Sequence, residues 1–115
     1  MRVVNATQET VISSACAEAR SFFARLQGLM GHPGLNPGEG LLIKPCSSVH
    51  SFFMRFPIDV IFVDKQDVVV GLTPAMAPNL PYAGARRAHY VIELPVGTIA
   101  ASATTIGDQL RIERD

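Results

Sequence analysis

The chain has 115 residues, ten Lys and Arg against ten Asp and Glu, and no net charge. Hydrophobic residues make up 48% and charged residues 17%. That is too apolar for a disordered chain, and too short for more than one domain, taken as spanning 1–115. Zero net charge argues against nucleic acid, because phosphate binding rests on clustered Lys and Arg.

Asn5, Thr7, Gln8 and Glu9 interrupt the apolar core that a leader peptide would need. No stretch approaches the roughly 18 apolar residues of a membrane span, so no membrane association is expected. Two cysteines, Cys16 and Cys46, do not make the framework of four or more found in small secreted domains. A reducing, cytoplasmic setting fits, with a Cys16–Cys46 bridge as the lesser alternative.

Val3-Val4 and Thr10-Val11-Ile12 flank a polar turn and predict an opening hairpin. Ala15, Ala19, Phe22, Phe23 and Leu26 recur at three- and four-residue spacing, with Glu18, Arg20, Arg25 and Gln27 between them. This predicts one amphipathic helix over 15–27, closed by Gly28 in the left-handed region. Gly31–Gly40 holds four glycines and two prolines, which predicts a loop. Leu41-Leu42-Ile43 is a short strand. His50–Phe56 is predicted as a strand with two apolar faces, interrupted by Pro57. Ile58–Asp64 and Val68–Thr73 predict an antiparallel hairpin around Lys65-Gln66-Asp67. Pro74, Pro78 and Pro81 punctuate a loop. Tyr90–Leu94 and Leu110–Glu113 are the last strands, and Thr98–Thr105 fits either a short helix or a loose strand. One early helix in a strand-rich order predicts a mainly β fold, an antiparallel sandwich or barrel.

Several segments, in order, resemble domain of unknown function family 192. Arg25-Leu26-Gln27-Gly28-Leu29-Met30-Gly31 is similar to its "R-x-x-G-L-M-G" motif. Gly38–Ile43 resembles its "G-x-G-L-L-I/F" segment, and Pro45-Cys46, Val49-His50 and Met54–Val60 resemble its central block. Glu93-Leu94-Pro95 with Gly97, and Gly107-Asp108, match its closing motifs. The resemblance runs from about residue 3 to 113. It implies a jelly-roll-like β-sandwich with one helix, and it implies no established activity. One departure is visible: such proteins usually carry a glycine in the turn after Asp64, and Lys65-Gln66-Asp67 has none.

The candidate site is the Cys46–Asp59 block. A thiol and an imidazole four positions apart could act as nucleophile and base, yet on a strand they would lie about 13 Å apart, so contact needs a turn. His32, His50 and His89 show no metal-ligand spacing, and neither a metal nor a cofactor is expected. Asp59 sits in an apolar run with Ile61 and Val63 on one side and Ile58, Val60 and Phe62 on the other. A carboxylate there needs partners: Arg55, Arg25 or His50 as cations, or loop N–H groups. The stripe of His50, Phe52, Met54 and Phe56 is either core or binding wall. Two functions stay in play. One is a non-enzymatic module binding a small molecule or protein partner through Cys46, His50, Met54, Arg55, Asp59 and Arg25. The other is a small hydrolase- or transferase-like enzyme using Cys46, His50 and Asp59. The binding module is favoured, because few polar residues are placed to converge and no nucleophile-elbow motif is present. The apolar excess also fits a homodimer.

Overall fold

β-branched residues on either side of a polar turn make the first hairpin, β1 (Arg2–Asn5) and β2 (Thr10–Ser13). The last strand, β10 (Leu110–Glu113), returns to pair with β1, giving a three-stranded antiparallel sheet in the order β10-β1-β2. The computed structural model describes residues 1–21, 24 and 28–115.

A five-stranded sheet carries the rest of the fold. Its strands are β3 (Ala15–Ala19), β4 (Glu39–Ile43), β6 (Ile58–Val63), β7 (Val69–Met76) and β9 (Tyr90–Pro95), in the order β3-β4-β9-β6-β7. It stays open, with β3 and β7 outermost, so the molecule is a sandwich rather than a barrel. The two-residue strands β5 (Ser48–Val49) and β8 (Ala83–Gly84) pair separately, and α1 (Thr98–Ala101) follows β9.

The mainly β fold agrees with the sequence, and three local expectations are corrected. The helix predicted over 15–27 does not begin at Ala15: Ala15–Ala19 is β3, paired in parallel with β4 in the register Cys16↔Gly40 and Ala19↔Ile43. Its amides are taken by distant carbonyls, Cys16 by Met1 at 2.8 Å and Ala15 by Gly38 at 3.0 Å. Pairing across the chain overrides the three- and four-residue spacing. Residues 22, 23 and 25–27 of the predicted helix lie outside the described residues. Gly28 does adopt the left-handed conformation, with φ 52°. The sheet is therefore mixed rather than antiparallel throughout. Finally, only Ser48 and Val49 near the predicted 50–56 strand are extended in a ladder. Ser51 is buried and spends its polar groups on a neighbouring loop: its hydroxyl donates to Ala77 O (2.6 Å), its N–H to Leu80 O (2.9 Å), and its carbonyl accepts from Asn79 N–H (2.7 Å).

The β6–β7 hairpin forms as expected. Asp64 Oδ1 accepts from the N–H groups of Gln66 and Val68 at 2.8 and 3.0 Å. Asp67 then takes the left-handed position (φ 62°) that a glycine would occupy without strain. Aspartate is among the residues that tolerate this region.

Alternation along β6 and β9 gives the five-stranded sheet two buried faces. Ile61, Val63, Tyr90, Ile92 and Leu94 pack with Val3, Ile12 and Leu110 of the three-stranded sheet. Ile58, Val60, Phe62 and Val91 pack with Ile43, Leu29, Met54 and Met76. Each fully buried branched side chain is worth about 1.5–3 kcal/mol, so both faces anchor the sheet. Among the described residues, no helix is long and apolar enough to cross a membrane.

Candidate functional site

Two carboxyl groups enter this apolar sheet on adjacent strands. The register pairs Asp59 with Leu94 and Val60 with Glu93. Side chains alternate across the sheet, so Asp59 emerges on the face shared with the three-stranded sheet and Glu93 on the opposite one. Asp59 is 1% exposed and Glu93 3%.

Asp59 is fully engaged. Its Oδ1 accepts from Ala75 N–H at 2.9 Å, and its Oδ2 from Gly97 N–H at 3.2 Å and Ile99 N–H at 2.9 Å. The carboxylate therefore ties β6 to β7 and to the first turn of α1, where N–H groups lack intrahelical partners. Among the described residues, the companions present are backbone N–H groups, one of them at Gly97 on the loop before α1, and no ion pair to Arg55 or His50 is formed. Arg55 is exposed on the loop before β6. Arg25 lies outside the described residues.

Glu93 is the opposite case. Its Oε1 is buried and has no hydrogen-bond partner among the described residues. Burial pushes the carboxyl up to about 7, because desolvation disfavours its charged form. It lines a cavity of about 150 Å³ walled by Leu29, Met30, Ile43, Val49 and Met54, with Cys46 and His50 also on its lining. Gly28 closes one side. A Cβ there would stand 3.3 Å from Glu93 Oε1, so a glycine at this left-handed position also leaves the carboxyl its space.

The structure thus brings Cys46, His50 and Met54 to one cavity and places Asp59 and Arg55 elsewhere. The Cys46 amide donates to His89 O at 2.8 Å, and its thiol donates to Ser48 O at 3.0 Å. His50 Nδ1 accepts from Phe52 N–H at 3.1 Å. A neutral imidazole so held carries its proton on Nε2 and is a donor there rather than a base. Cys16 belongs to the other face of the sheet, where burial raises its thiol to about 11, and no disulfide joins it to Cys46. Among the described residues, no three His, Cys, Asp or Glu side chains are grouped to hold a metal ion.

Comparison with known proteins agrees with the sequence motifs. The model of the family described as an uncharacterized ACR, DUF192, matches residues 3–112. The chain belongs to the DUF192 family. A UPF0127 protein of Pyrococcus horikoshii is 38% identical, over 95% of this chain and 96% of its own length. One from Thermococcus sibiricus is 37% identical, over 94% of this chain and 72% of its own length. Among solved structures, a Novosphingobium aromaticivorans protein of unknown function superposes with a TM-score of 0.86 at 22% identity, over 97% of this chain and 84% of that one. A candidate transcription regulator from Sinorhizobium meliloti gives 0.82 at 21% identity, over 96% and 89%. At such identities these two likenesses establish the shared fold alone.

In this DUF192 chain Glu93 is the candidate-site residue that the sequence reading misses, naming it only within the closing Glu-Leu-Pro motif. The signal was available: a carboxylate inside the apolar run Tyr90–Leu94 needs a partner, as Asp59 does inside Ile58–Val63.

Proposed function

We propose that this DUF192 chain is a binding module whose site is the Glu93 cavity, taking a small apolar group that carries a hydrogen-bond donor, best an ammonium, at its tip. The observation that carries this is the unpartnered Oε1 of Glu93. An unsatisfied buried polar atom costs about 1–3 kcal/mol, and more when charged. Other buried polar side chains here, among them Asp59, Ser51 and Asn5, make hydrogen bonds. The exception stands where there is room for a ligand. A cavity of about 150 Å³ matches one that admits a benzene-sized group and falls short of the roughly 300 Å³ at which drug-sized pockets begin. The apolar walls suit a short aliphatic chain, and the methionines let them adapt to it. The hydrogen bonds of Cys46 and His50 support binding ahead of thiol–imidazole catalysis, since Nδ1 is occupied by a backbone donor.

The test is a titration with n-butylammonium at pH 8, followed through the ¹³C-methyl signals of Met30 and Met54. Both signals are expected to move, with affinity falling toward pH 6 as Glu93 takes up its proton. Cys46 and His50 are the other titratable groups among the described lining residues, so the pH dependence is measured again in His50→Ala, where it should persist. Unmoved methyl signals, or equal binding by Glu93→Gln, would overturn the proposal.

A further inference from the structure

Glu93 and the residues around the cavity mouth point to a more specific occupant. The loop from His50 to Met54 borders the cavity at both ends, because both of those residues line it. Between them, Phe52 and Phe53 are 42% and 75% exposed. The Phe52 ring sits 5.3 Å from the His50 ring. Phe53 takes a left-handed backbone conformation, φ 63°, which is strained for a bulky side chain. It is held there from two sides. Its N–H donates to Asn79 Oδ1 at 3.2 Å, and its carbonyl accepts from Gly31 N–H at 3.1 Å, next to the cavity residue Met30. Leu80 and Tyr82, also exposed, lie on the loop bonded to Ser51. The fold therefore bears strain at the rim to hold an aromatic ring in water.

Resting on the binding-module reading above, we infer that the occupant is a lysine side chain of a partner protein, its ammonium meeting Glu93 and its flanking apolar residues covering Phe52 and Phe53. Charge complementarity selects the cation. The apolar walls match the methylene stem of lysine, which sheds water readily while the head seeks a charge. A cavity of about 150 Å³ suits the compact ammonium on its slender stem better than the broad planar guanidinium of arginine. Exposed aromatic side chains beside a pocket are the usual anchors of protein contacts. A free small amine fills the cavity and leaves the two phenylalanines in water; a peptide segment covers both.

The experiment compares three probes on the full chain at pH 8: Ac-Leu-Lys-Leu-amide, the same peptide with norleucine in place of lysine, and n-butylammonium. Binding is read from the Met30 and Met54 methyl signals and by calorimetry. The lysine peptide is expected to bind at least tenfold tighter than either control. The double variant Phe52→Ser, Phe53→Ser should reduce the lysine peptide to the affinity that butylammonium shows for the same variant. A lysine peptide no tighter than butylammonium, or one indifferent to the double variant, overturns this inference and leaves the cavity proposal standing. If no probe moves the methionine methyls, the cavity proposal fails and this inference with it.

Discussion

Asp59 and Glu93 stand on neighbouring strands of one sheet, equally hidden from water, and are treated in opposite ways. On one face, three backbone N–H groups from two other elements converge on Asp59. On the other, Glu93 Oε1 meets none. A carboxylate with three donors fastens a fold, whereas a buried one without a donor is a standing cost. The difference lies in the donors each carboxyl meets and not in burial, which is nearly the same for both.

Mutation sharpens that contrast. Asp59→Ala leaves three N–H groups facing an apolar gap and should destabilise by at least about 4 kcal/mol, read from urea unfolding. A loss under 1 kcal/mol would mean the clamp is dispensable. Glu93 should behave in reverse. Its folded-state value of about 7 lies above the ordinary 4.5, so between those pH values the folded state holds a proton that the unfolded state has released. Stability therefore falls as pH rises from 4.5 to 7, and the loss is complete above 7. It amounts to about 3 kcal/mol. Glu93→Gln should consequently stabilise the protein at pH 8 by up to about 3 kcal/mol, with the gain vanishing near pH 4.5; Tm measured across that range checks both the sign and the window.

Smaller effects are expected at the glycine and the rim. Gly28→Ala should cost about 1–2 kcal/mol for a left-handed alanine. Its added methyl, 3.3 Å from Oε1, should also weaken n-butylammonium binding. Phe53→Asn should raise stability by about 0.5–1 kcal/mol, since asparagine tolerates φ 63° better than phenylalanine. A fall in Tm would show that the ring is held by contacts rather than at a cost.

Much of this was legible in the chain, and the failures have physical causes. The β6–β7 hairpin, the opening hairpin and the burial of Asp59 follow from local patterning. The partners of Asp59 do not, because the donors come from residues 75, 97 and 99 and every backbone carries an N–H. The sequence offers Arg55, Arg25 or His50 as cations and loop N–H groups as the alternative, with nothing in it to say which residues would supply those N–H groups. Ala15–Ala19 misled for a related reason: small residues fit a helix and a parallel strand alike, and only the distant Glu39–Ile43 segment decides between them. The loop at Ser51 was hidden because one buried hydroxyl and its own peptide groups redirect the chain. Glu93 needed no long-range knowledge. The rule that singled out Asp59 applies to it unchanged.

The Asp59 clamp also has a kinetic corollary. The amides of Ala75, Gly97 and Ile99 are 22 and 24 residues apart along the chain for the first and each of the others, yet they share a single acceptor group. None can be released for deuterium uptake through that group without loosening strands and helix turn together. The three should therefore exchange in concert, at the slow pace of whole-molecule opening rather than of local fraying.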